Sequence, residues 1–258
     1  PILDKPVIQI VVEGLVKAGV EDIIIVTGPT KRAIEDHFDR SLELEDQLIA
    51  KGKIELADKL VSIGEMANFI YVRQKGEPRG NARPILNASH LIGDEPFFFC
   101  FADDFFTGDK STGQQLLSAF NQYGKSAVAL RKIDKSESGG YGIADILETD
   151  NRISTLKNIV EKPSPNDAPS NLAVGSGYLL TPSIFPILEN LKPSKRGEIE
   201  ITDALSILAE KEGLIGVEID GDYHDTGNPE VYLKTQIKLA LNDPRYAEEL
   251  RLYIKTLL

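Results

Sequence analysis

Four short segments concentrate side chains that can hold or neutralise phosphate. In "FFFCFADDFF" (97–106) an apolar run ends on Asp103 and Asp104. A carboxylate where a buried strand gives way to a loop can hold Mg²⁺, which takes one or two protein carboxylates and fills its shell with phosphate oxygens and water; the same pair can also cap a turn. In "YHDTGNPEVYLK" (223–234) Asp225 and Gly227 directly precede a helix whose first turn carries Pro229 and Glu230, so Asp225 is either a ligand or part of a capping turn. "VEKP" (160–163) closes a strand with Glu161 and Lys162; strand alternation sends adjacent side chains to opposite faces unless the chain bends there. "RQKGEPRGNARP" (73–84) follows another strand and has Gly76 and Gly80, which either bring backbone close to a ligand or turn the chain.

Composition narrows the partners. With 258 residues, 41% apolar and 27% charged side chains, the chain is long enough to bury the core of one large α/β domain. A net charge of −11 argues against nucleic acid and anionic membrane as partners, yet leaves a local site free to bind a small phosphate through lysine, backbone N–H groups and a cation. The apolar runs "IIIV" (23–26) and "FFFCFA" (97–102) are far too short to span a bilayer, so a cytoplasmic location is the default expectation. The single cysteine, Cys100, reads as a small core residue.

The elements that must carry these residues alternate. Strands are expected at 22–28, 69–73 and 96–103 and helices near 31–39 and 82–92, a βαβ rhythm that predicts parallel strands with ligands at their carboxyl ends. Residues 42–66 read as a helical hairpin turning near Gly52, inserted on the domain with a solvated charged face. The second half adds a hairpin, 141–148 and 152–163, a strand over 171–181, helices near 182–190, 199–211 and 229–241, and a final helix at 244–256. The whole of 1–258 reads as a single domain with a mixed, mostly parallel sheet. No G-x-G-x-x-G follows any expected strand, which disfavours a dinucleotide-binding dehydrogenase.

Together with "KRAIEDHFD" (31–39), "APSNLAVGSGYLLTP" (168–182) and "GEIEITDAL" (197–205), the order of these segments resembles that of the bacterial UTP:glucose-1-phosphate uridylyltransferases, or UDP-glucose pyrophosphorylases. The resemblance covers the chain from Pro1 to the last helix. It implies a Rossmann-like nucleotidyltransferase fold that joins UTP to glucose 1-phosphate, with Mg²⁺ as cofactor and a homodimer or homotetramer as the assembly. It further implies that Asp103 and Asp225 hold the metal, that Gln74 and the Gly80 backbone read uracil, that Gly142, Glu161 and Val174 line the sugar pocket, and that Lys162 meets the sugar phosphate. A glutamine suits thymine as well as uracil, so a dTTP-using thymidylyltransferase is an alternative, as is a nucleotide-sugar-binding module without catalysis.

The opening stretch "PILDKPVIQIVVEGLVKAG" places Asp4 as a cap, Pro6 in the first helical turn, and Val7, Ile8, Val11, Val12 and Leu15 on one face before Gly19. Family members carry a strand and a "GxGTRxxPxTKxxPKEMLP" segment ahead of the equivalent stretch. The expectation is therefore a chain that lacks a central strand and its phosphate loop, and that is poorly stable and inactive without them.

Overall fold

The computed structural model describes residues 1–194 and 196–257. The first half runs α1 (Val7–Val16), β1 (Asp22–Thr27), α2 (Arg32–Phe38), α3 (Leu42–Ala50), α4 (Ile54–Gly64), β2 (Asn68–Arg73), α5 (Arg83–Ile92), β3 (Phe97–Phe99), β4 (Asp104–Thr107) and α6 (Thr112–Tyr123). The second half continues with β5 (Ala127–Lys132), β6 (Gly142–Asp150), β7 (Ile153–Glu161), β8 (Leu172–Leu180), α7 (Ile184–Glu189), α8 (Ile201–Glu212), β9 (Leu214–Glu218), β10 (Asp222–Asp225), α9 (Pro229–Asn242) and α10 (Ala247–Lys255). Local chemistry sets several of these boundaries. Ser111 and Gln114 form a reciprocal capping box on α6, and the Asn228 side chain accepts from Glu230 N and Val231 N at the start of α9. α1 begins after Pro6 without a side-chain cap. Asp4, expected to cap it, instead pairs with Arg245 and Lys59.

Six strands form the main sheet in the order β3-β8-β5-β9-β7-β6, and β8 touches β6 as well, through Ala173 and Ile143. Parallel pairing is limited to β5–β9 and β1–β2; the other ladders are antiparallel. The sheet is thus mixed, as expected, but less parallel than βαβ alternation implies. The reason is local: the β6–β7 hairpin and the long β8, inserted between β3 and β5, reverse direction against their neighbours. Every residue of β8 is buried because both faces are covered, by α5, α7 and α8 on one side and α6 on the other. That is why "LAVGSGYLL" has no polar alternation.

β1 and β2 stand apart as a two-stranded parallel unit with their own core around Val12, Ile25, Phe38 and Ile63. Between β1 and β3 lies a cavity of about 770 Å³. Among the described residues β1 pairs only with β2, and β3 only with β8, so the two facing edges present unpaired backbone groups to the cavity. Apolar residues of α1 and α5, such as Val11, Leu15, Ala88 and Ile92, close it above and below. Cys100 lines this slot and is half-buried rather than enclosed in the core. The expected hairpin of helices at 42–66 forms as α3 and α4, reversing at Gly52 with φ +70°. Its outer face is not purely charged: Leu42, Ile49 and Leu56 are exposed along with it.

Candidate active site

The strand expected over 96–103 breaks after Phe99, and the break is what presents Asp103. Phe101 N donates to the Ser176 hydroxyl (3.0 Å) instead of extending the ladder with β8. The chain re-enters strand at Asp104, paired with Asp225 of β10. The two adjacent aspartates therefore have different fates. Asp104 turns inward, where its Oδ2 accepts from the Tyr223 hydroxyl (2.7 Å) and Ser176 N (3.1 Å). Burial pushes its carboxyl up to about 6, against the pull of those two hydrogen bonds. Asp103 stays exposed, its carbonyl held by Thr226 N (2.8 Å) and the Thr226 hydroxyl (2.6 Å).

Gly227 reveals how close the two candidate ligands come. A Cβ built on it would lie 3.3 Å from Asp225 Oδ1 and 3.8 Å from Asp103 Oδ2, so both carboxylates border one small space that a side chain would fill. Asp225 Oδ1 also accepts from Gly227 N (2.8 Å). The capping-turn reading of "DTG" and the ligand reading are both satisfied, because the turn is what aims the carboxylate. Two hard oxygen donors with open positions beside them fit the coordination preference of Mg²⁺, which takes one or two carboxylates.

A second group assembles at the start of β6. Gly142 pairs with Glu161, and a Cβ on Gly142 would lie 3.0 Å from the Thr202 methyl and 3.4 Å from Glu161 Oε2. Lys162, just past β7, has φ +47°. This bend overrides strand alternation and brings Lys162 Nζ to 3.7 Å from Glu161 Oε1, on the same side instead of the opposite face. Lys162 N donates to the Tyr141 carbonyl (3.0 Å). Val174 is buried in the main core, so what it can offer a ligand is main chain. Tyr178 is buried in the main core, and that burial, with smaller contributions from Asp104, Cys100 and Glu161, raises its phenol.

The third group is the loop after β2. Gln74 is exposed, with its N–H donated to Thr27 O (2.9 Å). Gly80 has φ +140°, and a Cβ there would meet the Ile199 carbonyl at 2.1 Å. Its lack of a side chain is thus used by the backbone of the "GEIEITDAL" segment. The loop is stitched to that segment again where Asn81 Oδ1 accepts from Ile201 N (2.7 Å). Thr202, next along, abuts Gly142, so the loop and the Glu161–Lys162 corner share one support. Asn81, Thr202 and Tyr223 escape a reading of the sequence, and Gly227 is marked there without its role as the space between two carboxylates. Only Gly227 carried a signal, its place in "DTG"; the others act through partners remote in the chain.

An exposed carboxylate pair, a lysine–glutamate corner and a Gly-containing loop after a strand offer the charges and backbone groups that binding a nucleotide and a phosphorylated sugar would use. The comparisons agree. Residues 1–241 match the family described as Nucleotidyl transferase. The chain is 43% identical over 257 residues to UTP–glucose-1-phosphate uridylyltransferase 2 of Staphylococcus saprophyticus, covering 100% of this chain and 89% of that one. Among solved structures, an apo UDP-glucose pyrophosphorylase superposes with a TM-score of 0.86 at 39% identity, over 93% of this chain and 88% of that one. The UTP-bound enzyme of Acinetobacter baumannii gives a TM-score of 0.90 at 31% identity, over 100% and 90%. This chain is therefore a nucleotidyltransferase. Within that class it belongs to the UTP–glucose-1-phosphate uridylyltransferase family.

Proposed function

We propose that this chain transfers the uridylyl group of UTP to glucose 1-phosphate, giving UDP-glucose and pyrophosphate, with Mg²⁺ held by Asp103 and Asp225. The observation that carries the reading is the convergence of those two carboxylates on the space beside Gly227. The sugar phosphate is already an anionic nucleophile, so its attack on the α-phosphorus needs no general base. What the reaction needs is two mutually repelling polyanions held in line. Mg²⁺, when bound, supplies charge neutralisation on the nucleotide phosphates. Lys162 meets the sugar phosphate, and its bent backbone keeps the ammonium beside Glu161, whose carboxylate accepts from glucose hydroxyls.

Gln74 and the Gly80 backbone read uracil in this account, and Gly142 offers its backbone to the sugar hydroxyls. None of the three histidines is needed for chemistry: His224 is buried between Thr107 and Thr235, His37 bonds to Gln9, and His90 is exposed in the last turn of α5. The assembly is a homodimer or homotetramer, to which exposed Leu233 and Ile237 of α9 and Leu252 and Tyr253 of α10 contribute apolar contact. No helix among the described residues is long and apolar enough to cross a membrane.

The test is turnover of the natural full-length protein with UTP, then dTTP, in the presence and absence of a chelator. UTP-selective, chelator-sensitive formation of UDP-glucose is expected. Equal use of dTTP, or full activity in excess chelator, would overturn the base or the metal assignment respectively.

A further inference from the structure

Arg131, at the end of β5, belongs to none of the groups above, and its surroundings are unusual. Its guanidinium carbon lies 4.3 Å from the centroid of the Tyr141 ring and 4.1 Å from that of Tyr223, a cation held between two aromatic faces. Among the described residues no carboxylate pairs with it, and its Nε is buried without an acceptor. Buried unpaired donors are costly and scarce in folded proteins, so this position holds a cation where an aliphatic side chain would pack without that cost.

What the two rings connect gives the arrangement meaning. Tyr141 accepts the Lys162 N–H through its carbonyl (3.0 Å) and immediately precedes Gly142, which pairs with Glu161. Tyr223 donates its hydroxyl to Asp104 (2.7 Å), the neighbour of Asp103, and stands two residues before Asp225 in the same strand. Tyr223 is itself steadied by Phe106, edge to face at 5.1 Å, and Phe106 fits only because Gly175 has no side chain to meet it. One ring thus adjoins the residues assigned to the sugar phosphate, and the other adjoins those assigned to the metal.

We infer that Arg131, stacked between Tyr141 and Tyr223, is a positioning residue that fixes the Glu161–Lys162 corner relative to the Asp103–Asp225 pair. This rests on the uridylyl-transfer reading and deepens it. In-line attack depends on how the two phosphates are placed, and misplacement by ~1 Å costs on the order of a hundredfold in rate. A planar guanidinium can be sandwiched between two rings, whereas a lysine ammonium on a flexible stem does not hold both at a fixed spacing. Arg131→Lys therefore does not restore what Arg131→Met removes.

The experiment uses the natural full-length protein and three readouts. Arg131→Met is expected to lower kcat by about tenfold or more, with KM for both substrates within about twofold and Tm close to wild type. Tyr141→Leu has the same effect, and the double variant is no worse than either alone, because one clamp is broken only once. Calorimetry supplies a readout without turnover: the gain in UDP-glucose affinity on adding Mg²⁺ shrinks in both variants, while UTP affinity is unchanged. Wild-type kcat and an intact Mg²⁺ gain in both variants would overturn the inference, as would additive losses that follow a fall in Tm. If the wild-type protein makes no UDP-glucose, the functional reading fails. A lost or retained Mg²⁺ gain in the variants still decides whether Arg131 couples the two groups.

Discussion

The sugar end of the crevice is built locally, and the metal end is not. Gly142 and Glu161 meet across a hairpin whose strands, β6 and β7, are joined by a tight turn in which Asn151 adopts φ +54°. Asp103 and Asp225 meet because β4 and β10 pair across a separation exemplified by the 119 residues between Asp104 and Tyr223. The hairpin has bulges and eight residue pairs along its ladder, and α8 supports it from below, where the Ser206 hydroxyl donates to Ile159 O (3.1 Å). The β4–β10 ribbon has four residue pairs and is fastened by side chains: Tyr223 to Asp104, Thr226 to Asp103, His224 to Thr107. A short, non-local ribbon must be pinned by its own side chains, because loop-closure entropy opposes it and few ladder bonds repay it. The lesson is that the metal end is held by side chains reaching across a short ribbon, and the sugar end by a long local ladder and the backbone bend at Lys162.

Substitutions that remove charge without changing shape probe this contrast most severely at the metal end. Asp103→Asn and Asp225→Asn should each lower kcat by roughly a thousandfold, with little change in Tm, as steady-state kinetics and thermal melts will show. Near-wild-type rates in both would reduce the two residues to caps. Lys162→Ala comes next, with kcat down by roughly a hundredfold and the KM for UTP unchanged. Glu161→Gln should act differently, raising the KM for glucose 1-phosphate by about tenfold and weakening discrimination among hexose phosphates. If both sugar-end variants raised only the KM for UTP, the assignment of that corner to the sugar would be broken.

The smallest expected effect separates two buried groups of the metal end by pH. The Asp104 carboxyl is raised by burial to about 6, so the stability it contributes is fully present below its unfolded value near 3.8 and is lost as pH rises through about 6. His224 is lowered from 6.5, chiefly by burial and then by Lys238, so its contribution is present above 6.5 and is lost as pH falls below that value. Relative to wild type, Asp104→Asn should therefore lose Tm on acidification from pH 8 to 4, and His224→Gln should gain it. Differences that ran in the same direction, or stayed flat, would remove the titration account of the ribbon.

The same contrast explains what could be read from the chain. The β6–β7 hairpin, β8 and the paired helices α3 and α4 were legible because their signals lie within a few residues: a turn at Asp150–Asn151, an unbroken apolar run, a glycine between two amphipathic stretches. Which face Lys162 takes stays open in the sequence because alternation holds only until the backbone bends, and φ +47° at that residue has no mark in "VEKP". The break between Phe99 and Asp104 was hidden for a different reason. Its cause, the Ser176 hydroxyl taking the Phe101 N–H, lies 75 residues away. Separate roles for Asp103 and Asp104 likewise depend on Tyr223, a partner that adjacency in sequence does not suggest. β9 and β10 are short segments whose register is set by β5, β7 and β4.

Direct attack of the sugar phosphate on the nucleotide is the claim to which both ends of the crevice contribute, and its stereochemistry can be observed. A single diastereomer of UTP carrying sulfur at the α-phosphorus, given to the natural full-length protein with glucose 1-phosphate and Mg²⁺, should yield UDP-glucose inverted at that phosphorus. One in-line displacement between the Lys162 corner and the Asp103–Asp225 pair requires that outcome. Retention of configuration would mean two displacements through a covalent uridylyl-protein intermediate and would contradict the account.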